Sequence, residues 1–214
     1  MTKSDGTAVI VFARAPRPGA VKTRLIPLLG AEEAAALHAR LVTRALETAR
    51  AASLRPIELH GTPDINDVFF RACAGDFAVA LAAQAGGDLG ARMLAAFESA
   101  LATHSRALLL GSDCPALAAS HLREADRALR EGTDAVFVPC EDGGYALIGL
   151  RSADARLFDG IAWGGENVMA DTRTRLTGLG WRWRELETLW DVDRPEDYRR
   201  LLASGLLEAT RTHA

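Results

Sequence analysis

An acidic residue follows an apolar run in the middle of the chain. The run Ala107–Leu110 is typical of a buried strand, and Asp113 comes directly after it in a short polar turn. In open α/β sheets, ligands bind beyond the carboxyl ends of the strands. A carboxylate there either holds a metal bound to a substrate phosphate or caps the next helix. The helical pattern starts only near Ala118, and Ser120 is the better cap, so the spacing favours the metal.

The loop after the first apolar run is basic. Ala8–Ala13 is β-branched at its centre and predicts a central strand of a parallel sheet. Prolines and a glycine shape the following loop, which carries the cations Arg14, Arg17, Lys22 and Arg24. This position favours a phosphate site, although a solvated surface loop is the alternative. Lys22 is one of only two lysines among 25 basic residues, which hints at a need for a compact ammonium.

Two aspartates near the end of the chain are spaced two residues apart. In an extended segment, Asp191 and Asp193 would point to the same side. Pro195 fits the first turn of a final helix, so Asp193 could serve as its cap. Asp191 then has no structural task, which favours a ligand role for at least one of the two.

Two glycine-rich turns carry further candidates. Asp88 lies among glycines before a helical pattern, so it either caps that helix or marks a backbone open to a flat ligand. The turn Asp142–Tyr145 separates two predicted strands and suits a hairpin. It could instead place a carboxylate and an aromatic ring beside a bound sugar. The residues alone leave both pairs of alternatives open.

Strands and helices alternate along the chain. Apolar runs predict strands at 8–13, 55–60, 77–81, 107–110, 133–139, 146–150 and 181–186. Amphipathic patterns predict helices at 31–52, 64–71, 88–101, 118–129, 166–179 and after Pro195. This alternation, without a repeat or a linker, predicts one doubly wound α/β domain with its core at 8–204.

The composition limits the possible partners. The net charge is -3 and the isoelectric point is about 6.0, so the chain lacks the net positive charge that is typical of proteins that bind nucleic acid. No window has the length of an apolar membrane span, and the N-terminus lacks the apolar core of a signal peptide. Cys73, Cys114 and Cys140 form neither a CxxC pair nor a zinc spacing. We therefore expect a cytoplasmic protein with reduced thiols that binds no nucleic acid and does not span a membrane.

Five blocks of sequence, taken together and in this order, indicate a resemblance to a known protein family. They read Phe12-Ala-Arg-Ala-Pro-Arg-Pro-Gly-Ala-Val-Lys-Thr-Arg-Leu25, Gly87-Asp-Leu-Gly-Ala-Arg-Met93, Gly111-Ser-Asp-Cys-Pro115, Asp142-Gly-Gly-Tyr145 and Asp191-Val-Asp-Arg-Pro-Glu-Asp197. With them the chain resembles the DUF2064 family of proposed glycosyltransferases, in the nucleotide-diphospho-sugar transferase (GT-A) superfamily. The resemblance runs from about residue 9 to 202. More distantly, the chain is similar to molybdenum-cofactor and 2-phospholactate guanylyltransferases.

The resemblance implies a three-layer Rossmann-like GT-A fold. Its mostly parallel mixed sheet would have helices on both faces and a nucleotide site at the carboxyl edge. By analogy with the superfamily, the residues that bind the nucleotide and its phosphates would be Ala13, Arg14, Lys22, Arg24, Gln84, Gly87, Asp88 and Gly90. Those that face the sugar or acceptor would be Asp142, Gly143, Gly144, Tyr145 and Trp163.

The resemblance also implies a divalent metal, Mg²⁺ or Mn²⁺. Asp113 would correspond to the metal-binding aspartate of the superfamily's DxD position. Gly-Ser-Asp supplies one carboxylate where DxD supplies two, so Asp191 or Asp193 would be the second ligand. A further departure is Trp163-Gly-Gly-Glu-Asn167, where relatives tend to have Trp-Ser-Thr.

The implied reaction is metal-assisted transfer from a nucleoside diphosphate sugar to a small-molecule acceptor. Lys22 and Arg24 would stabilise the charge that builds on the leaving group, and Asp142 would take the acceptor proton. A nucleotidyltransferase that uses a nucleoside triphosphate and a phosphorylated small molecule is the first alternative. A non-catalytic nucleotide-binding protein is the second.

Overall fold

The strands form one mixed sheet. The computed structural model describes residues 3–207. Within these residues the strands are β1 (Ser4–Arg14), β2 (Ile57–Thr62), β3 (Ala80–Ala83), β4 (His104–Leu110), β5 (Ala135–Pro139), β6 (Tyr145–Leu150) and β7 (Trp183–Glu185). Their order in the sheet is β3-β2-β1-β4-β6-β5-β7. Strand β6 is antiparallel to β4 and β5, and the other pairs are parallel.

Helices cover both faces of this sheet. They are α1 (Ile26–Leu29), α2 (Ala31–Ala51), α3 (Val68–Phe77), α4 (Leu89–Thr103), α5 (Ala119–Arg130), α6 (Val168–Leu179) and α7 (Pro195–Ser204). Alternate residues of β1 point to opposite faces, as the pleat of a strand requires. The odd-numbered residues from Val9 to Ala13 pack with α2, α3 and α5, and the even-numbered residues from Ala8 to Phe12 pack with α4 and α6. The predicted three-layer α/β architecture is confirmed.

The prediction around the third strand was wrong in its boundaries. Helix α3 begins only at Val68, because the Asp67 carboxylate accepts the Phe69 N–H at 3.1 Å and fixes the start of the helix. The helix continues to Phe77, where a strand was expected, and Ala78 ends it in a left-handed conformation. Strand β3 therefore covers Ala80–Ala83.

The predicted cap of α5 was also wrong. The helix begins at Ala119, so Ser120 already lies inside its first turn. The His121 imidazole performs the capping contact, since its Nδ1 accepts the Ala118 N–H at 2.9 Å. No helix within residues 3–207 has the length and apolar character that a membrane crossing requires.

Candidate functional site

The loops at the carboxyl ends of the parallel strands surround a cavity of about 300 Å³. Asp113 and Cys114 line it from the loop after β4, and Asp142 lines it from the turn between β5 and β6. Asp191 comes from the segment before α7. Tyr145 and Trp163 supply aromatic surface, and Leu89, Cys140 and Val168 complete the apolar part of the wall. The topology thus brings carboxylates from three distant parts of the sequence into one cavity.

Asp113 is held by Lys22. The two side chains form an ion pair of 2.6 Å, in which Lys22 is 4% exposed and Asp113 is 51% exposed. The ammonium also donates to the Val192 carbonyl at 2.6 Å, and the Val192 N–H donates to the Asp113 carbonyl at 2.9 Å. Asp113 therefore lies where three segments meet: the basic loop, the loop after β4 and the segment before α7.

These contacts keep Asp113 ionised. Desolvation by the surrounding protein would raise the pKa of Asp113, but the charge and the hydrogen bond of the Lys22 ammonium outweigh it and hold the pKa below its usual value. One carboxylate oxygen is paired with Lys22, while half of the side chain stays open to the cavity. Asp113 is therefore a charged group available for a ligand.

The other cations of the basic loop are also engaged. Arg17 pairs with Asp67 at 3.0 Å, and Arg24 forms an ion pair with Asp193. Arg14 is exposed and reaches the Ala20 carbonyl at 3.4 Å. A nucleotide would have to share or displace these partners, so the role of Lys22 and Arg24 at phosphates stays a prediction.

His38 is a site residue that sequence reasoning missed. Its Nε2 lies 3.0 Å from the Arg14 carbonyl, which can only accept, so Nε2 carries the proton. Burial lowers the pKa of His38, which leaves the imidazole neutral. Nδ1 is then an acceptor, buried without a hydrogen-bond partner, 3.8 Å from Asp113 Oδ1. A lone histidine at an apolar helix position gives no signal in the sequence, because its partners are remote along the chain.

Variants of His38 separate the tasks of its two nitrogens. His38→Gln keeps a donor that can reach the Arg14 carbonyl, whereas the shorter His38→Asn does not. Losing this buried hydrogen bond costs about 1–3 kcal/mol, so His38→Asn should melt several degrees below His38→Gln. Thermal melts at pH 7.5 measure the difference. Equal melting temperatures for the two variants would contradict the assigned contact.

Asp191 carries an unfavourable charge in the ligand-free protein. Burial raises its pKa to about 6, and the negative charge of Asp142 acts in the same direction. Both carboxylates line the cavity with Asp113. Such a set of carboxylates is stabilised by a bound cation, because the cation removes their mutual repulsion.

The stability of an Asp191→Asn variant should depend on pH. In the unfolded chain an aspartate titrates near pH 4, whereas folded Asp191 titrates near pH 6. Above pH 6 the ionised carboxylate therefore destabilises the folded state, and below about pH 4 it does not. Asp191→Asn should raise the melting temperature of the ligand-free protein at pH 8 and lose most of that advantage at pH 4.5. A gain that is the same at both pH values would contradict this cause.

Asp193 lies apart from the Asp113 cavity. It faces an adjoining cavity of about 730 Å³, together with its partner Arg24. Asp142 and Asp191 line both cavities. The cap alternative for Asp193 was wrong: the Asp197 carboxylate accepts the Asp193 and Arg194 N–H groups at 3.1 and 2.7 Å. Of the two aspartates, Asp191 is therefore better placed to share a cation with Asp113.

The turn around Asp88 caps a helix. The Asp88 carboxylate accepts the Ala91 N–H at 2.8 Å and begins α4, as one of the two alternatives predicted. Gly90 follows and touches the Trp163 indole, since a Cβ there would lie 2.6 Å from its Nε1. This contact joins the turn to the aromatic wall of the cavity. Arg92 donates to the Gly87 carbonyl at 3.0 Å and fixes the same turn.

Gln84 ties neighbouring strand ends together. Its amide donates to the Ala13 carbonyl at 3.2 Å and to the His60 carbonyl at 2.9 Å. These bonds connect the carboxyl ends of β1 and β2 with the segment after β3. Gln84 therefore shapes the edge of the sheet where a nucleotide is expected.

The acidic turn between β5 and β6 is tightly packed. Asp142 accepts the Gly144 N–H at 2.9 Å, and Gly143 has a φ of 89°. The Gly143 carbonyl accepts the Met169 N–H at 2.8 Å. Tyr145 packs edge-on against Phe137, and burial raises the pKa of its hydroxyl, which contacts Thr172. Tyr145 thus offers its ring rather than its hydroxyl to the cavity.

The donor set fits a cation shared with a ligand. Within residues 3–207, no three histidine, cysteine, aspartate or glutamate side chains already converge into a metal site. Mg²⁺ is commonly bound by one or two carboxylates together with substrate phosphates and waters. Asp113 and Asp191 match that mode, in which the ligand supplies the remaining oxygens.

The family profile described as "Uncharacterized protein conserved in bacteria (DUF2064)" matches residues 45–165. No protein with a curated description matches the chain. Among solved structures, a candidate nucleotide-diphospho-sugar transferase from Desulfovibrio desulfuricans G20 is 29% identical, with a TM-score of 0.81 over 95% of this chain and 97% of that one.

More distant structures share the fold. A cytidylyltransferase from Leptospira borgpetersenii is 14% identical, with a TM-score of 0.63 over 92% of this chain and 85% of that one. Rv0371C from Mycobacterium tuberculosis H37Rv, in complex with manganese, is 19% identical, with a TM-score of 0.55 over 93% of this chain and 99% of that one.

Proposed function

The chain belongs to the DUF2064 family of bacterial proteins, and from that premise we propose that it is a transferase acting on a nucleoside diphosphate sugar. It would move the sugar to a small-molecule acceptor with the help of Mg²⁺ or Mn²⁺. One observation carries the proposal: Asp113, kept ionised by Lys22, faces a cavity that it shares with Asp142 and Asp191. The likeness to the Desulfovibrio protein supports the same reaction class.

Asp113 and Asp191 would hold the cation. When bound, it would supply charge stabilisation for the diphosphate leaving group. Lys22 lies 2.6 Å from Asp113, so it fixes the orientation of that carboxylate and lowers its proton affinity. Arg24 and Arg14, at the edge of the same loop, would contact phosphate oxygens. The manganese complex of the mycobacterial protein with this fold is consistent with such a cation.

Asp142 would serve as the general base. It lines both cavities, so it would lie between a donor bound in one of them and an acceptor bound in the other. The Gly144 N–H fixes its carboxylate at 2.9 Å. A base must lie within hydrogen-bonding reach of the acceptor hydroxyl and between the two substrates, which this position permits. Trp163 and Tyr145 would provide apolar surface for the sugar ring.

Nucleotidyl transfer is the second candidate. The cytidylyltransferase with the same fold supports this alternative, since a cytidylyltransferase carries out nucleotidyl transfer. The products distinguish the two reactions. Sugar transfer releases a nucleoside diphosphate, and nucleotidyl transfer releases pyrophosphate. A nucleotide-binding protein without turnover would release neither.

Thermal melts with nucleotides and nucleoside diphosphate sugars, with and without Mn²⁺, test the proposal first. A ligand bound only by the folded state raises the melting temperature by mass action. We expect a shift for one base that requires Mn²⁺, followed by release of the diphosphate when an acceptor library is added. A shift with triphosphates and pyrophosphate release would favour the second candidate instead.

A further inference from the structure

Two cysteines stand beside the carboxylates of the candidate site. Cys114 follows Asp113 directly, and Cys140 precedes Asp142 by two residues. Both line the cavity of about 300 Å³ and are free thiols. Cys73, the other free thiol of the described residues, is buried on α3 away from this cavity.

The two thiols lie close together. Cys114 packs against the apolar cluster that contains Cys140, both side chains line the same cavity, and the two thiols are close enough to influence each other's protonation. Each residue belongs to a loop and not to the interior of a strand: Cys114 follows β4, and Cys140 follows β5. The Cys140 carbonyl accepts the Gly143 N–H at 3.0 Å, which holds this loop against the cavity. Because both residues lie beyond the ends of their strands, the backbone there can adjust to the geometry that a disulfide requires.

We propose that Cys114 and Cys140 form a redox-active thiol pair that reacts with small-molecule disulfides and closes to an intramolecular disulfide. Cys114 is the more exposed of the two and reacts first. Its sulfur bonds to one sulfur of the small disulfide, and the other sulfur leaves as a thiol with the proton. The Cys140 sulfur then bonds to the Cys114 sulfur and releases the second small thiol. The protein loses two hydrogen atoms and two electrons, and the small disulfide is reduced to two thiols.

The new bond would join two loops of the candidate site. It connects the loop that carries Asp113 to the turn that carries Asp142, at positions close to these carboxylates. Neither loop could then move independently of the other. Oxidation of this thiol pair would therefore restrict the distance between Asp113 and Asp142 in the cavity.

The experiment uses the ligand-free, full-length protein and oxidised glutathione. After incubation and denaturation, thiol counting should fall from three to one, and the intact mass should fall by two hydrogens. Peptide mapping should find Cys114 linked to Cys140, and dithiothreitol should restore all three thiols. Because no nucleotide is present, this result does not depend on the proposed transferase activity.

Single substitutions supply the controls. Cys114→Ser and Cys140→Ser should each abolish the intramolecular bond, and Cys73→Ala should leave it unchanged. Persistence of three thiols in the wild type, a bond that includes Cys73, or glutathione adducts that never close would each overturn the proposal. The wild-type mass and peptide map decide the question even if a variant fails to fold.

Discussion

Asp113→Asn is expected to weaken Mn²⁺-dependent nucleotide binding by about 100-fold or more, since a metal ligand loses its charge. The asparagine keeps an oxygen that can accept from the Lys22 ammonium, which lies 2.6 Å from the carboxylate in the wild type. The fold should therefore survive, and the loss should appear in affinity. Isothermal titration calorimetry of each nucleoside diphosphate, with Mn²⁺ in excess, measures the effect.

Glu98→Gln is the matched control for this substitution. Glu98 is an exposed carboxylate within α4, away from the cavity, and it undergoes the same change of charge. Its affinity should equal that of the wild type. If Asp113→Asn bound nucleotide as tightly as Glu98→Gln in the presence of Mn²⁺, Asp113 would not be the cation ligand.

Gly143→Ala is expected to produce the largest loss of stability among single methyl additions in the site. A Cβ at this position would lie 1.8 Å from the Glu166 carbonyl oxygen, and the φ of +89° disfavours any side chain. Backbone strain combined with a clash against backbone should cost about 2–4 kcal/mol. For a chain of this size, that corresponds to a fall in melting temperature of roughly 5–15 °C.

Gly178→Ala should change the melting temperature in the opposite direction under the same conditions. Gly178 lies within α6, where an added methyl group would meet no atom within 4 Å and the backbone is not left-handed. Replacement of an exposed helical glycine by alanine stabilises a helix by up to about 1 kcal/mol. A Gly143→Ala protein that melts with or above Gly178→Ala would show that the turn is not packed as described.

The position of Asp113 could be predicted from local sequence alone. An apolar run marks a buried strand, and the residues just after it must lie at the edge of the sheet. The same reasoning placed the basic loop after β1 and the acidic turn after β5. These predictions depend only on the order of elements along the chain, which periodicity reports well.

The partners of Asp113 could not be predicted in the same way. Lys22 and His38 approach it from a loop and a helix that are distant along the chain, and tertiary packing alone brings them together. The pairing of Arg24 with Asp193 is similarly remote, and it separates Asp193 from the cavity that holds Asp191. An i and i+2 spacing cannot reveal which of two aspartates already has a partner.

Mn²⁺ binding itself tests the central claim most directly. Electron paramagnetic resonance measures free Mn²⁺ as protein is titrated in the presence of UDP, GDP, CDP or ADP, with each nucleotide alone as the reference. We predict that the wild-type protein removes a stoichiometric amount of Mn²⁺ from solution with one of these diphosphates, and that Asp113→Asn and Asp191→Asn do not. Removal of Mn²⁺ by both variants to the wild-type extent, or no removal by the wild type with any diphosphate, would contradict a cation site at Asp113 and Asp191.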